Sequence, residues 1–306
     1  MENLLGTLNK WLKGNLHTHT TNSDGDSSPN HVASWYEEHG YDWLCISDHN
    51  HLTILEEAES SPGKWPLLIP GEEVTSIAGE NLGKSIPVHI NAYGTDRLIK
   101  PSNHDSVIET LQENISRINT SGAMASINHP NYKWAFGLSE LLQVDGYRFI
   151  EIFNGHPASN SFGGDTYPSV ETIWDGLLSV KRRILGIAVD DAHHYTGEFT
   201  HDRSNPGRGW IQVKAKKSSR DCILEAMSDG DFYASNGVTI SDLKISKTEI
   251  SIEIEPEDST VRYTTTFHGR GGKILDSIES LSPQYSPNPK DLYVRATVTS
   301  SKGTKA

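Results

Sequence analysis

The sequence predicts an α/β barrel of parallel strands, followed by a small all-β segment. Over roughly the first 235 residues, short apolar runs alternate with helix-like segments, which is typical of parallel sheets. Histidine, aspartate or glutamate stands at or just after the end of seven of these runs. Because the carboxyl ends of parallel barrel strands converge on one rim, we expect these side chains to meet there.

Seven strands, rather than eight, indicate a barrel that is smaller or less regular than the eight-stranded kind. The predicted strands are Gly14–His19, Trp43–His49, Leu67–Val74, Ile86–Tyr93, Met124–His129, Phe149–His156 and Ile184–His193. The first helix is predicted from the Ser28-Pro29 pair, a capping residue followed by proline at the first helical position, as far as Gly40. Further helices are predicted at about 106–119, 168–180 and 218–229.

The character of the chain changes near Asn236, which divides it into a predicted barrel domain (1–236) and a small all-β domain (237–306). The second part consists of short alternating strands with turns rich in Gly, Pro, Ser and Asp, which predicts a β-sandwich-like appendage. Its predicted strands are Thr239–Ile245, Glu249–Ile254, Val261–Phe267 and Leu292–Thr299. We expect it to serve packing or interaction, since it contains no cluster of metal-ligand residues.

Composition excludes several classes of function. The 27 basic and 40 acidic residues give a net charge of −13, which argues against a nucleic-acid polymer or an anionic membrane as partner. No apolar run approaches the roughly 20 residues of a membrane span, and the first residues lack the features of a signal peptide, so we expect a cytoplasmic protein. The sequence has neither a phosphate-binding loop with lysine nor a GxSxG motif. Both cysteines, Cys45 and Cys222, are predicted to be buried thiols.

The strongest local motif is His17-Thr18-His19, at the end of the first predicted strand. Alternation along a strand places both imidazoles on one face, where they can bind the same ion. Two other strand ends carry related motifs, Asp48-His49 and Asp191-Ala192-His193.

Three further strands carry ligand-type residues. Of the adjacent Glu72 and Glu73, only one can point inward, again because of alternation. His89 and His129 lie on the next two strands along the chain. Mixed histidine and carboxylate ligation suits Zn, Mn or Fe better than Ca or Mg.

In this order, the motifs HTH…SDG, SDHN, GEE, VHI, NHP and DAH resemble the polymerase and histidinol phosphatase (PHP) superfamily of metallohydrolases, over about residues 14–240. The resemblance implies a distorted seven-stranded β/α barrel with two or three divalent metal ions at its rim. It implies that the ligands are His17, His19, Asp24, His49, Glu73, His89, His129, Asp191 and His193. It also implies that Glu73 bridges two ions and that Asp24, His49 and His193 hold a third. The segments EIFNGH and DFYASNGV are most similar to the carbaryl-hydrolase-like branch.

This ligand set carries three carboxylates, so three divalent ions would leave the site at about +3 and two ions at about +1. A positive site favours a small anionic substrate despite the acidic protein. The resulting hypothesis is a phosphoesterase that uses a metal-bridging hydroxide. Two alternatives stay open: a carboxyl- or carbamate-ester hydrolase with the same metal centre, and a non-catalytic metal-binding module.

Four residues beyond the ligands are candidates for contact with the substrate. His156, just after the sixth strand, is predicted to donate to a substrate oxygen or to protonate the leaving group. Arg203 and Arg208, in the loop HDRSNPGRG, are predicted to grip phosphate. His194 is expected to point away from its ligand neighbour. Surface positions are expected for His31, His39, His51 and His104.

Overall fold

A computed structural model describes residues 11–55 and 65–306, and shows a mixed α/β protein with four sheets. The strands are β1 (Leu12–Asn15), β2 (Trp43–Leu44), β3 (Leu67–Leu68), β4 (Gly71–Ala78), β5 (Ile86–Tyr93), β6 (Met124–Ile127), β7 (Tyr147–Asn154), β8 (Leu185–Val189), β9 (Trp210–Val213), β10 (Phe232–Ser235), β11 (Thr239–Ile245), β12 (Ile250–Glu255), β13 (Tyr263–Gly269), β14 (Lys273–Glu279), β15 (Gln284–Tyr285) and β16 (Arg295–Ser300). The α-helices are α1 (Pro29–Glu38), α2 (Val107–Thr120), α3 (Leu138–Leu141), α4 (Val170–Ser179) and α5 (Arg220–Asp229).

The first ten strands form two five-stranded sheets, ordered β10-β9-β1-β2-β3 and β4-β5-β6-β7-β8. β1, β2 and β3 are parallel, as are β6, β7 and β8. Two isolated parallel bridges, Thr18 with Ala192 and His49 with Glu73, connect the two sheets.

The prediction that all barrel strands are parallel is wrong for β5, which is antiparallel to both β4 and β6. Only residues 79–85 connect β4 to β5. A parallel partner would need a crossover of about a dozen residues or more, so a link this short permits only an antiparallel hairpin.

The four predicted helices are present, with ends shifted by one or two residues. Ser28 caps α1 through its side chain, which accepts a hydrogen bond from the His31 backbone N–H, and Pro29 occupies the first turn. Each of α1, α2 and α4 buries an apolar face, and the core around β4–β8 includes Leu111 and Ile115 of α2. The short helix α3 was not predicted, because four residues give too little periodicity to detect.

Beyond β10 the chain forms two three-stranded sheets, β11-β12-β15 and β14-β13-β16, over a shared apolar core that includes Ile252 and Phe267. Strands are present at all four positions predicted in this part of the chain. The strand β14 was missed because most of its residues are exposed, which leaves no apolar alternation to read. The domain division at 236/237 and the sandwich-like appendage stay predictions.

The C-terminal sheets contact helix α4 through a buried ion pair. Arg295 donates from Nε to Asp175 Oδ1 and from Nη2 to Asp175 Oδ2, each at 2.8 Å. The hydroxyl of Tyr293 also donates to Asp175 Oδ1, at 2.8 Å. We call these three residues the α4 clasp. Both oxygens of the buried Asp175 carboxylate are therefore satisfied by partners in the C-terminal part of the chain, Arg295 on β16 and Tyr293 just before it.

Cys45 is fully buried, and burial raises the pKa of its thiol to about 12. Cys222, contrary to prediction, is partly exposed on helix α5. Within the two described ranges, no helix combines the length and apolar character needed to cross a membrane.

Candidate metal centre

The structure brings all nine predicted ligands together, most of them just beyond strand ends and two of them, Glu73 and His89, within β4 and β5. Their donor atoms fall into four overlapping groups, in each of which the atoms lie within 4.8 Å of one another. The groups are His19, Asp24, His49 and His193; His17, His129 and Asp191; His17, His19 and Glu73; and His49, Glu73 and His89. Side chains from most of the length of the first 193 residues thus face a common point, as the strand-end argument predicted.

His17 and His19 lie just beyond β1, in a stretch that the Thr18–Ala192 bridge holds extended. Their Nε2 atoms are 3.1 Å apart, so the two rings face the same place. Asp191 Oδ1 lies 3.3 Å from His17 Nε2 and 3.2 Å from His19 Nε2. The backbone at Asp191 is left-handed, with φ of 50°, an uncommon conformation for a residue other than glycine.

The Glu73 carboxylate stands at the middle of the cluster. Its Oε2 lies 3.3 Å from His17 Nε2, 3.4 Å from His19 Nε2 and 2.8 Å from His49 Nδ1. Its Oε1 lies 3.0 Å from His89 Nδ1 and 3.4 Å from His129 Nε2. The two oxygens thus face different sets of histidines, which is the arrangement that a bridging carboxylate needs.

Its neighbour Glu72 takes a different role. The Glu72 Oε1 atom accepts a hydrogen bond from the Ile99 backbone N–H, and burial raises the pKa of this carboxyl to about 7. As alternation along a strand requires, only one of the two glutamates faces the cluster, and it is Glu73, the residue that the resemblance implied.

Asp24 lies on the exposed side of the cluster, with its side chain about half exposed. Its Oδ1 is 3.3 Å from His193 Nε2, and its Oδ2 is 3.6 Å from His49 Nε2. These three residues are the set that the resemblance assigned to a third ion.

The chemistry of the cluster fits bound cations. The ring nitrogens and carboxylate oxygens that converge there carry lone pairs, which repel one another unless a proton or a cation lies between them. Two of the buried atoms, Glu73 Oε2 and His89 Nδ1, have no hydrogen-bond partner in the described structure. Buried polar atoms without partners are rare in folded proteins, and coordination of an ion would satisfy both.

The pKa values of the cluster follow from its crowded charges. Burial lowers the pKa of His17, but the carboxylates of Asp191 and Glu151 outweigh burial and hold it well above the ordinary value. Burial raises the pKa of Glu73, yet the surrounding histidines, His49 foremost, keep it well below its usual range. Burial and the adjacent His193 lower the pKa of His19 to about 4. The cluster thus attracts positive charge strongly, whether protons or metal cations supply it.

Sequence reasoning missed Glu151, which lies in the middle of β7 and is fully buried. Its Oε1 is 2.6 Å from His17 Nδ1, and its Oε2 accepts from the His129 backbone N–H and from Asn154 Nδ2, each at 2.9 Å. A fourth buried carboxylate beside the ligands makes the site one unit less positive than the predicted charge count. The detectable signal was a charged residue inside the apolar run FIEIF.

Two more buried carboxylates shape the loops around the cluster. Asp48 accepts hydrogen bonds from Thr20 and from the Ser23 hydroxyl at 2.7 Å, and so orders the loop that carries Asp24. Asp190 accepts from the backbone N–H groups of three consecutive residues, Gly207, Arg208 and Gly209. These carboxylates act on backbone geometry and do not belong to any of the four donor groups.

The cluster opens into a cleft of about 190 Å³, lined by ligands and by a few neutral polar residues. His156 and His194 both line it, so the expectation that His194 points away is wrong. His156 Nδ1 accepts from the Ala158 backbone N–H at 3.1 Å, which leaves the proton of the neutral ring on Nε2. Burial lowers the pKa of His156 and favours this neutral form. Tyr132 and Ser159, which were not predicted, complete much of the wall.

The structure does not bring the two predicted arginines to the cleft, so their phosphate-gripping role lacks support. Arg208 donates to the backbone carbonyls of Gly155 at 2.8 Å and Thr200 at 2.6 Å, so its guanidinium connects two loops. Arg203 Nη2 lies 3.7 Å from Asp26 Oδ2, so this side chain is directed toward the loop that carries Asp26. Among the described residues that line the cleft, none is lysine or arginine.

The four histidines that were expected at the surface lie apart from the cluster. His31, His39 and His51 are exposed, as expected, whereas His104 is partly buried and hydrogen-bonds Ser102. None of these four belongs to a donor group in the described chain.

Neither the known family models nor the curated proteins match this chain. Among solved structures, it is similar to a two-domain protein from Bacteroides vulgatus that contains a predicted PHP-like metal-dependent phosphoesterase. The identity is 16%, the TM-score is 0.53, and the match covers 97% of this chain and 90% of that one. The two chains therefore share a fold over nearly their whole length.

Two further structural matches have lower TM-scores and cover less of this chain. One is a proposed metal-dependent phosphoesterase from Bifidobacterium adolescentis, at 15% identity and a TM-score of 0.43, covering 63% of this chain and 89% of that one. The other is an amidohydrolase from Chromobacterium violaceum, at 15% identity and a TM-score of 0.40, covering 62% of this chain and 93% of that one. The resemblance to the carbaryl-hydrolase-like branch stays a prediction.

Proposed function

We propose that this protein is a metal-dependent phosphoesterase that hydrolyses a small phosphorylated substrate. The observation that carries the proposal is the position of Glu73, whose two oxygens face histidines on opposite sides within 3.4 Å. A carboxylate in that position can join two cation sites, and adjacent cations are a recurring device for phosphoryl chemistry.

The proposal includes the finer features implied by the resemblance. Seven strands, β1, β2 and β4–β8, would form one distorted barrel, which the bridges Thr18–Ala192 and His49–Glu73 support. The nine ligands would hold two or three ions of Zn, Mn or Fe, because mixed histidine and carboxylate donors suit these metals. The four overlapping donor groups leave room for either number.

The bound ions would supply positive charge for the anionic oxygens of a substrate and would lower the pKa of a water molecule. Residues of the chain would do the rest. His156 presents its Nε2 proton to the cleft and is placed to donate to the leaving group. Tyr132 and Ser159 are neutral donors on the same wall. Because the described lining has no lysine or arginine, the ions would carry the whole task of neutralising a phosphate.

The absence of lysine and arginine from the described cleft lining also favours a second candidate function. A cleft without basic side chains also accepts a neutral ester, so a carboxyl- or carbamate-ester hydrolase with the same ions is the alternative. The third hypothesis, a metal-binding module without turnover, is favoured by no observation of the structure.

A paired rate assay separates these functions. The protein would be loaded with Zn or with Mn and given p-nitrophenyl phosphate and 1-naphthyl N-methylcarbamate. His17→Ala removes a buried ligand, and His31→Ala, on the exposed face of α1, is the matched control. We expect phosphate cleavage by the wild type and the control, and loss of that cleavage in His17→Ala. Carbamate cleavage alone would establish the alternative, and ion binding without cleavage of either substrate would favour the non-catalytic module.

A further inference from the structure

In the described structure, each side-chain hydrogen bond of Glu151 goes to His17, His129 or Asn154, at the proposed metal centre. A carboxylate only accepts, so the 2.6 Å contact between Glu151 Oε1 and His17 Nδ1 places the proton of that ring on Nδ1. In the neutral ring, which is the form that binds a metal ion, the opposite nitrogen Nε2 then keeps a lone pair, and it is Nε2 that faces His19, Glu73 and Asp191. Glu151 therefore fixes both the tautomer and the direction of the His17 ring.

The second oxygen of Glu151 extends the same control to two other ligands. Glu151 Oε2 accepts from the backbone N–H of His129 and from Asn154 Nδ2. Asn154 Nδ2 also donates to Asp191 Oδ2 at 3.0 Å, while Asn154 Oδ1 accepts from the His156 backbone N–H at 2.8 Å. Since both ends of the Asn154 amide are engaged, this side chain cannot rotate without losing hydrogen bonds.

From this network we infer that Glu151 is a positioning residue of the metal centre, which orients His17 directly and Asp191 through Asn154. The inference rests on the proposed function, because it concerns how the same site binds its ions. Hydrogen bonds from a ligand to a partner beyond it set the basicity and direction of that ligand, and their loss costs about 10–100-fold in metal affinity.

Glutamine at position 151 cannot replace the carboxylate, although it has the same shape. Glu151 accepts from three donors with two oxygens, and an amide has only one oxygen. Whichever way the amide is turned, its NH₂ group would face either His17 Nδ1 or the pair of donors from His129 and Asn154. One orientation favours the wrong His17 tautomer, and the other leaves donors opposed inside the core.

The test is a measurement of Zn and Mn affinity by competition with a chelator, on the full chain. Glu151→Gln is expected to bind about 10–100-fold more weakly than the wild type. Glu72→Gln is the matched control, because Glu72 is also a buried glutamate but hydrogen-bonds only the Ile99 backbone. We expect its affinity to stay within about twofold of the wild type. Unchanged affinity in Glu151→Gln would overturn the inference.

A double variant distinguishes positioning from a general structural role. If Glu151 acts in part through His17, then Glu151→Gln should weaken ion binding by a smaller factor in the His17→Ala background than in the wild type. An equal further loss in the double variant would contradict positioning through His17. Absence of ion binding by the wild type would instead contradict the proposed function, so the two failures are distinguishable.

A spectroscopic measurement on the wild type covers the case in which Glu151→Gln fails to fold. In the Zn-loaded protein labelled with ¹⁵N-histidine, the signal that disappears in His17→Ala should show a proton on Nδ1 and coordination through Nε2. Coordination through Nδ1 would overturn the inference, because Glu151 would then face the wrong nitrogen.

Discussion

Two buried carboxylates of this protein, Glu73 in the candidate metal centre and Asp175 in the α4 clasp, differ in what satisfies them. Asp175 accepts from Arg295 through both oxygens and from Tyr293, so its charge and lone pairs are all engaged by the chain itself. Glu73 is surrounded by histidine nitrogens, and its buried Oε2 has no hydrogen-bond partner. Both regions bury a carboxylate, but only the cluster contains electron-pair donor atoms that could still bind a ligand.

This difference separates a structural carboxylate from a functional one. A buried ion pair with ideal geometry holds two elements in register, and removing one partner leaves the other charge uncompensated. A group of converging lone pairs has no such internal partner, and a proton or a bound cation must supply the positive charge. The comparison therefore predicts opposite consequences for the same chemical change in the two regions.

The largest effect should come from removing one charge from the cluster. Asp191→Asn is expected to lower metal-dependent turnover by more than about a hundredfold, because even a partner beyond the ligands is worth about 10–100-fold in affinity or activity. Asp175→Asn, the same change at the clasp, should leave kcat within about twofold. Equal turnover in the two variants, measured with Zn or Mn, would break the comparison.

The free energy of unfolding of the metal-free protein should change more in Asp175→Asn than in Asp191→Asn, the reverse of the order for turnover. Asp175→Asn leaves the nearly buried Arg295 guanidinium without its charged partner, and we expect the free energy of unfolding to fall by about 3 kcal/mol. Urea denaturation of the metal-free protein would measure this change. A midpoint equal to that of the wild type would mean that the clasp contributes little.

Removal of metal should destabilise the wild type by an amount that depends on the cluster alone. An ion present at about 100 times its Kd adds about 2.7 kcal/mol to the native state. The shift in Tm between Zn-loaded and chelator-treated protein should persist in Asp175→Asn and shrink strongly in Asp191→Asn. A shift of the same size in Asp191→Asn would place the bound ions elsewhere.

The smallest effect concerns the close approach of Gly272 to the clasp. Its backbone has φ of 74°, and a Cβ atom there would lie 2.6 Å from Asp175 Oδ2. Gly271, with φ of 67° and no atom within 4 Å of such a Cβ, is the matched control. Both alanine variants carry the left-handed backbone cost, so Gly272→Ala should lose about 1 kcal/mol more than Gly271→Ala. Equal denaturation midpoints would show that the clasp adapts easily.

The sequence predicted the cluster because ligand-type residues at strand ends have a positional signal. His17 and His19 were placed on one face by alternation, and their Nε2 atoms are 3.1 Å apart. The antiparallel course of β5 was missed, although the short 79–85 link contained the information. Barrel closure and the domain boundary stay predictions.

The residues around the ligands were less predictable. Glu151 lies 134 positions from His17, and nothing in the local sequence connects the two. The loop containing Arg208 gave no indication that its guanidinium would bind the carbonyls of Gly155 and Thr200. Partners of this kind depend on tertiary packing, which neither periodicity nor motif order encodes.

The most direct test of the central claim is the number of ions bound after equilibrium dialysis, measured by elemental mass spectrometry. We predict that the wild type and Asp175→Asn retain two or three equivalents of Zn or Mn, whereas Asp191→Asn retains fewer. A folded wild type that retains no divalent ion would contradict the assignment of this cluster as a metal centre.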